Sequence, residues 1–179
     1  MTSLPMWVFG YGSLMWNPGF AFTERQQARL AGYRRSFCMW SIHHRGTVQK
    51  PGLVLALDLR DGAHCDGVAF AVAPGEEDAT MAYLRERELI SSAYLEMVHE
   101  ITLSDGRKVE AVVYVTDENH EQYCAGLPLK RQAEIIASAH GDRGPNREYL
   151  ANTVAHMREL GISDRDLEWL NANVGEATR

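Results

Sequence analysis

The sequence predicts an α+β fold. Three observations carry that reading. Strand-type segments come mostly first and helical ones mostly last, with one helix interrupting the strands. An Asp-Gly pair joins two β-type runs, a hairpin signal. The chain has 179 residues, which favours one domain, and no internal repeat or low-complexity linker divides it. We therefore expect a single domain over residues 1–179, with about six strands.

Each element has a local cause. Residues 6–11 (MWVFGY) are apolar, aromatic and β-branched, and Gly12-Ser13 reads as a turn, so a strand leads into a loop. Residues 30–40 (LAGYRRSFCMW) form a second strand. Residues 41–52 are polar, with two glycines and Pro51, and form a loop. Residues 53–59 (LVLALDL) are a short apolar run, read as a buried strand. Asp61-Gly62 marks a turn, and 66–72 (DGVAFAV) a further strand. Residues 76–89 read as a helix, whose early Glu76, Glu77 and Asp78 complement the helix dipole. Residues 94–103 and 108–116 are β-type, joined through Asp105-Gly106. Three helices follow: 129–140 after Pro128, 146–160 between Pro145 and Gly161, and 163–173 with Ser163 as N-cap. From Gly175 onward the chain is expected to fray.

Composition narrows the class. The chain is 45% hydrophobic and 23% charged, as in an ordinary globular protein. No apolar run approaches the roughly 20 residues of a membrane helix. The first six residues carry no basic stretch and no long apolar core, so no cleaved signal peptide is expected. With 18 basic and 24 acidic residues the net charge is −6, which disfavours a nucleic-acid partner. Cys38, Cys65 and Cys124 are odd in number and widely spaced, and they form no C-x-x-C pair. They read as reduced thiols in a cytoplasm.

Five places could carry chemistry. Gly10-Tyr11-Gly12-Ser13-Leu14 follows a strand. Its glycines let backbone approach a ligand and expose N–H donors to a carboxylate, phosphate or oxyanion; otherwise it is only a tight turn. It is neither G-x-G-x-x-G nor a Walker loop. Glu88 is the second. At 100° per residue it lies about 40° from Leu84 and about 20° from Met81, whereas Glu86 lies about 160° from Leu84. If the helix reaches residue 88, Glu88 sits on the apolar stripe and Glu86 faces water. Such a carboxylate is either ion-paired or held protonated, and is a candidate for acid–base work.

The third is His43-His44-Arg45-Gly46. Adjacent histidines diverge in a strand, no H-x-x-x-H exists, and no metal site is expected. Arg45 either holds a carboxylate or is solvated. Fourth, Ser13 has no sequence-evident His/Asp partners and no G-x-S-x-G motif surrounds it, while Cys38 reads as a small core residue. Fifth, Tyr149 falls early in a helix behind Gly144-Pro145, and points its hydroxyl into a pocket or simply packs.

Taken in order, these blocks resemble the ChaC-like γ-glutamylcyclotransferases. The resemblance runs from residues 6–14 (MWVFGYGSL) through Arg34-Arg35-Ser36-Phe37, His44-Arg45-Gly46, 50–54 (KPGLV) and 67–70 (GVAF). It continues through 83–88 (YLRERE) and 144–150 (GPNREYL), covering roughly residues 6–160. It implies an α+β fold on a small mixed β-barrel with flanking helices. It implies conversion of glutathione to 5-oxoproline and Cys-Gly, a reaction that requires no cofactor. It makes Glu88 the catalytic acid/base, and Gly10, Tyr11, Gly12, Ser13, Leu14, Met15 and Tyr149 the substrate-binding residues. It leaves Arg35, Arg45 and Arg147 as unranked anchors for the substrate's carboxylates. Many members carry Gly-Gly-Tyr soon after the glutamate. This chain has Leu89-Ile90-Ser91-Ser92-Ala93-Tyr94, a departure that bears on substrate range. Two other readings stay open: turnover of other γ-glutamyl amino acids or amines, and a non-catalytic regulatory protein of the same fold.

Overall fold

The structure is a computed structural model and describes residues 4–89 and 93–177, with side chains to residue 174. The chain packs as two compact units. One comprises 1–35 and 57–120, the other 36–56 and 121–179.

In the first unit β1 (Trp7–Gly10) is buried at all four positions, as expected of an apolar run with a neighbour on either side. A single 3-10 turn follows (Ser13–Met15), then β2 (Phe22–Ser41) and β3 (Gly52–Val72), long strands that contribute to both units. Helix α1 (Glu77–Glu88), β4 (Tyr94–Leu103) and β5 (Lys108–Thr116) complete it. The strands close a barrel in the order β1-β3-β2-β4-β5. It is mixed: β1 runs antiparallel to β3, with Gly10 opposite Val68, and parallel to β5, with Trp7 opposite Ala111. The 105–106 hairpin forms as expected, joining β4 to β5 over nine register pairs from Tyr94↔Thr116 to Thr102↔Lys108. Leu84 of α1 is buried with Val8, Leu14, Val72, Val112 and Tyr114, and Met81 and Tyr83 pack against that cluster.

Two expectations change here. The strands expected at 53–59 and 66–72 are one strand. Gly62 adopts the positive φ (+80°) that Asp-Gly favours, but the strand continues through it. A positive-φ glycine serves a bend within a strand as well as a chain reversal, and the dipeptide alone does not separate the two. The barrel therefore has five strands rather than about six. Strand β2 also starts eight residues before residue 30. Its early part alternates in exposure, but the less exposed side is Glu24, Gln26 and Ala28, so hydropathy does not reveal the period. Glu24 pairs there with Arg107, and Gln26 accepts from Ser104 Oγ at 2.7 Å.

The second unit holds α2 (Leu129–Ser138), the two-residue strands β6 (His140–Gly141) and β7 (Gly144–Pro145), α3 (Asn146–Leu160) and α4 (Arg165–Ala177). Ile135, Ile136, Leu150, Val154, Met157, Leu167, Leu170 and Val174 are buried in it. Helix α3 stops at Gly161 (φ +74°), as predicted, with Ile162 N–H returning to Met157 O at 2.9 Å. Helix α2 ends at Ser138, two residues early, because His140 pairs with Pro145. The N-cap of α4 is Asp164, not Ser163. Its carboxylate accepts from Leu167 N–H at 3.2 Å, which satisfies an orphan donor of the first turn. The helix runs on to Ala177, through the stretch expected to fray. Among the described residues no helix is long and apolar enough to cross a membrane.

Candidate active site

The Gly10–Met15 segment and Glu88 both belong to the first unit. Strand β1 delivers Gly10 opposite the neighbourhood of Gly67, where a Cβ would lie 2.2 Å from Gly10 O. The chain then doubles back tightly, and a Cβ on Gly10 would fall 2.9 Å from Leu14 Cβ. Met15 N–H donates to Gly12 O at 2.9 Å, and Asn17 N–H to Ser13 O at 2.8 Å. Leu14 and Met15 bury their side chains as anchors, so these residues can offer a ligand only backbone. The Met15 amide is already used inside the turn. Among the described residues no protein acceptor is found for the amides of Gly12, Ser13 and Leu14.

Arg35 fixes this turn from below. It is 3% exposed, and its Nε donates to Tyr11 O at 2.7 Å while Nη2 donates to Asp66 O. The sequence offered Arg35 as a carboxylate anchor; the structure spends its guanidinium on backbone carbonyls of the loop and of β3.

Helix α1 does reach Glu88, which is its last residue. The Glu88 side chain is 17% exposed, whereas Glu86 is exposed. The two glutamates separate as the helical spacing predicts. Burial pushes the Glu88 carboxyl above the usual carboxylate range, and the adjacent Arg87 guanidinium opposes part of that rise. Arg87 Nε stands 3.5 Å from Glu88 Oε1. Nearby on β5, the Tyr114 hydroxyl is also pushed up, by burial and by the negative charges of Glu96 and Glu88. It donates to Glu96 Oε1 at 2.9 Å, and Arg85 grips both oxygens of Glu96 at 3.0 and 3.1 Å. The Tyr114 proton thus serves Glu96.

Tyr149 lies in the second unit, on the first turn of α3. Its hydroxyl accepts from Leu55 N–H at 3.2 Å, Phe37 meets its ring edge-on at 6.0 Å, and the Arg45 guanidinium sits 5.7 Å from the ring centre. Arg45 also donates to Pro145 O at 3.2 Å, so its role within this unit is to tie the loop to β7. His44 faces Asp142 at 3.6 Å, both exposed. Arg147 is exposed. Among the described residues no three His, Cys, Asp or Glu side chains are grouped to hold a metal ion. The three cysteines are free thiols. Residues 90–92, the core of the departure after Glu88, lie outside the described residues.

Sequence reasoning misses the roles of two residues. Arg87 sits in the charged run Arg85-Glu86-Arg87-Glu88, whose composition marks no arginine as special, although the arithmetic that singles out Glu88 puts it only about 60° from Leu84. Asn146, fully buried, has no hydropathy signal at all.

Comparisons with known proteins show the family. A family model described as ChaC-like protein matches residues 6–177. The chain is 37% identical to the glutathione-specific γ-glutamylcyclotransferase of Escherichia coli (strain K12), over 95% of this chain and 73% of that one. It is 36% identical to γ-glutamylcyclotransferase 2-3 of Arabidopsis thaliana, over 90% and 84%. The crystal structure of the yeast γ-glutamyl cyclotransferase specific to glutathione shares the fold, with a TM-score of 0.85 and 24% identity over 98% of this chain and all of that one. With the family model matching nearly its whole length, this chain belongs to the ChaC-like protein family.

Proposed function

We propose that this ChaC-like protein is a γ-glutamylcyclotransferase that converts glutathione to 5-oxoproline and Cys-Gly. The observation that carries this reading is the 37% identity to a glutathione-specific relative over 95% of the chain. The match crosses both compact units, which supports one functional domain over residues 1–179. The free cysteines support a cytoplasmic setting.

The reaction is an internal aminolysis. The substrate's α-amine attacks its own γ-carbonyl carbon. A new C–N bond closes the five-membered lactam, and the C–N bond to cysteine breaks. Both reacting groups belong to one molecule, so holding them in register supplies much of the rate. The α-ammonium must lose a proton first, since such amines titrate near ~8. Glu88 takes that proton and passes it to the departing cysteine nitrogen as the C–N bond breaks; the attacking nitrogen loses its second proton to solvent and the freed Cys-Gly amine takes one up, so two protons leave the α-nitrogen and two reach the cysteine nitrogen. A carboxylate at its ordinary pKa of about 4.3 is a weak base; the upward shift of Glu88 brings it closer to the amine. The negative charge on the former carbonyl oxygen goes to the amides of Gly12, Ser13 and Leu14. Tyr149 contacts the substrate, its hydroxyl held in place by Leu55 N–H.

Incubation of the purified protein with glutathione, followed by mass spectrometry, is expected to show 5-oxoproline and Cys-Gly in equal amounts. γ-Glutamyl-alanine run in parallel is expected to stay intact. Preferential turnover of γ-glutamyl-alanine would move the substrate to other γ-glutamyl compounds. Absence of product from both would overturn the proposal.

A further inference from the structure

We propose that Arg87 is a positioning residue, locking the Gly10–Met15 segment and the chain just after it to the helix end that carries Glu88. This inference rests on the reading of Glu88 as the catalytic acid/base.

The guanidinium is committed on every side. Its Nη2 donates to Ser13 Oγ at 2.8 Å. Its Nη1 reaches three acceptors: Asn17 O at 2.7 Å, Tyr83 Oη at 3.1 Å and Pro18 O at 3.3 Å. Its Nε edge faces Glu88. The side chain is only 20% exposed, so this is not a solvated arginine making chance contacts. The strap it holds is also fixed sterically: Gly19, at φ +75°, lies so close to Tyr83 that a Cβ would fall 2.1 Å from the Tyr83 oxygen. Residues 13 to 19 are thus seated on one face of α1 through Arg87 and Tyr83. A planar fork of five N–H donors can serve these divergent acceptors together; a single ammonium cannot.

Two consequences follow for the site. The spacing between the amides of Gly12–Leu14 and the Glu88 carboxylate depends on the Arg87 clamp. The charge of Arg87 also favours the ionised form of Glu88 against burial. The other ionisable groups in this corner are occupied: Arg85 with Glu96, Tyr114 with Glu96, and Tyr83 with Arg87 itself.

The test compares Arg87→Gln, Arg87→Lys and Ser13→Ala with the parent protein, using glutathione turnover across pH and circular dichroism for the fold. Glu88→Gln serves as the control for the underlying reading. Arg87→Gln is expected to stay folded and lose kcat by about 10–100-fold, the scale of a misplaced reacting group. The acidic limb of its kcat/KM profile is expected to move to higher pH, because the cation that favoured the Glu88 carboxylate is gone. The substrate is the same in both proteins, so a shifted limb belongs to the enzyme. Arg87→Lys is expected to keep the limb near its parent position while kcat still falls, since charge survives and the fork does not. Arg87→Gln combined with Ser13→Ala is expected to lose less than the sum of the two losses. Parent-like kcat in Arg87→Gln, or a kcat loss with an unmoved limb, would overturn the positioning role. Retained turnover in Glu88→Gln would overturn instead the reading on which it stands.

Discussion

Replacing Glu88 with glutamine is expected to lower glutathione turnover by about 10²–10⁴-fold or more, the range of a positioned general acid/base. Glutamine keeps the shape and removes the ability to carry a proton. The substrate should still bind, because the Gly10–Met15 segment is held by Arg35 and Arg87 and not by Glu88. Glu86→Gln is the internal control. Glu86 is two residues away, the same residue type, and exposed. Its substitution is expected to leave kcat/KM within about twofold, as for a surface change away from special features. Essential Glu86 and dispensable Glu88 would reverse the assignment.

The same substitution carries a signature in stability. Burial raises the Glu88 pKa in the folded protein above its unfolded value of 4.5. Between those two values the folded state holds a proton that the unfolded state has released. Stability contributed by the protonated group is therefore present below pH 4.5 and is lost as pH rises through the folded value. Glutamine does not titrate and escapes that loss. Glu88→Gln is thus expected to be at least as stable as the parent at neutral pH, with the advantage shrinking as pH falls toward 4.5. Denaturant midpoints at a series of pH values check this. A variant that is inactive and also markedly less stable at neutral pH would point to a structural carboxylate.

How far the sequence reaches is seen by comparing neighbours. Glu88 and Glu86 are distinguishable because helical periodicity is a geometric rule, and α1 obeys it to its last residue. The β4–β5 hairpin is legible because Asp-Gly lies between two apolar, β-branched runs. The early half of β2 is not, because Glu24 and Gln26 fill its less exposed side with polar atoms bonded to the β4–β5 turn region. Hydropathy registers burial of carbon, not pairing of polar groups. Arg35 and Arg87 fail for a related reason. An arginine's sequence neighbours do not reveal whether its donors meet water, a ligand or carbonyl groups distant in sequence. Both turn out to hold the loop whose backbone the sequence had marked. Gly62 shows a third limit: the dipeptide specifies a φ angle, and only the partners of the strand decide whether the chain bends or reverses.

Asn146 gives the largest stability effect we expect. It is fully buried at the start of α3, behind Pro145. Its Oδ1 accepts from Leu53 N–H and its Nδ2 donates to Leu53 O, both at 2.8 Å. Three residues on, Tyr149 Oη accepts from Leu55 N–H. One helical turn thus grips alternate residues of β3, because i and i+3 share a helix face as i and i+2 share a strand face. The fit is close: a Cβ on Gly52 would lie 2.7 Å from Asn146 Oδ1. Asn146→Ala removes both partners of a residue that is itself buried. Leaving one buried donor or acceptor unsatisfied costs about 1–3 kcal/mol, so two should cost about 2–6 kcal/mol. That is a large share of the roughly 5–15 kcal/mol that holds a typical domain folded. Asn146→Leu separates polarity from volume. It restores most of the bulk and none of the hydrogen bonds, and is expected to be as destabilising as alanine in urea titration. Recovery of the parent midpoint by leucine would show that Asn146 acts by filling space. Equal loss in both variants would show that it acts by pairing the backbone of β3.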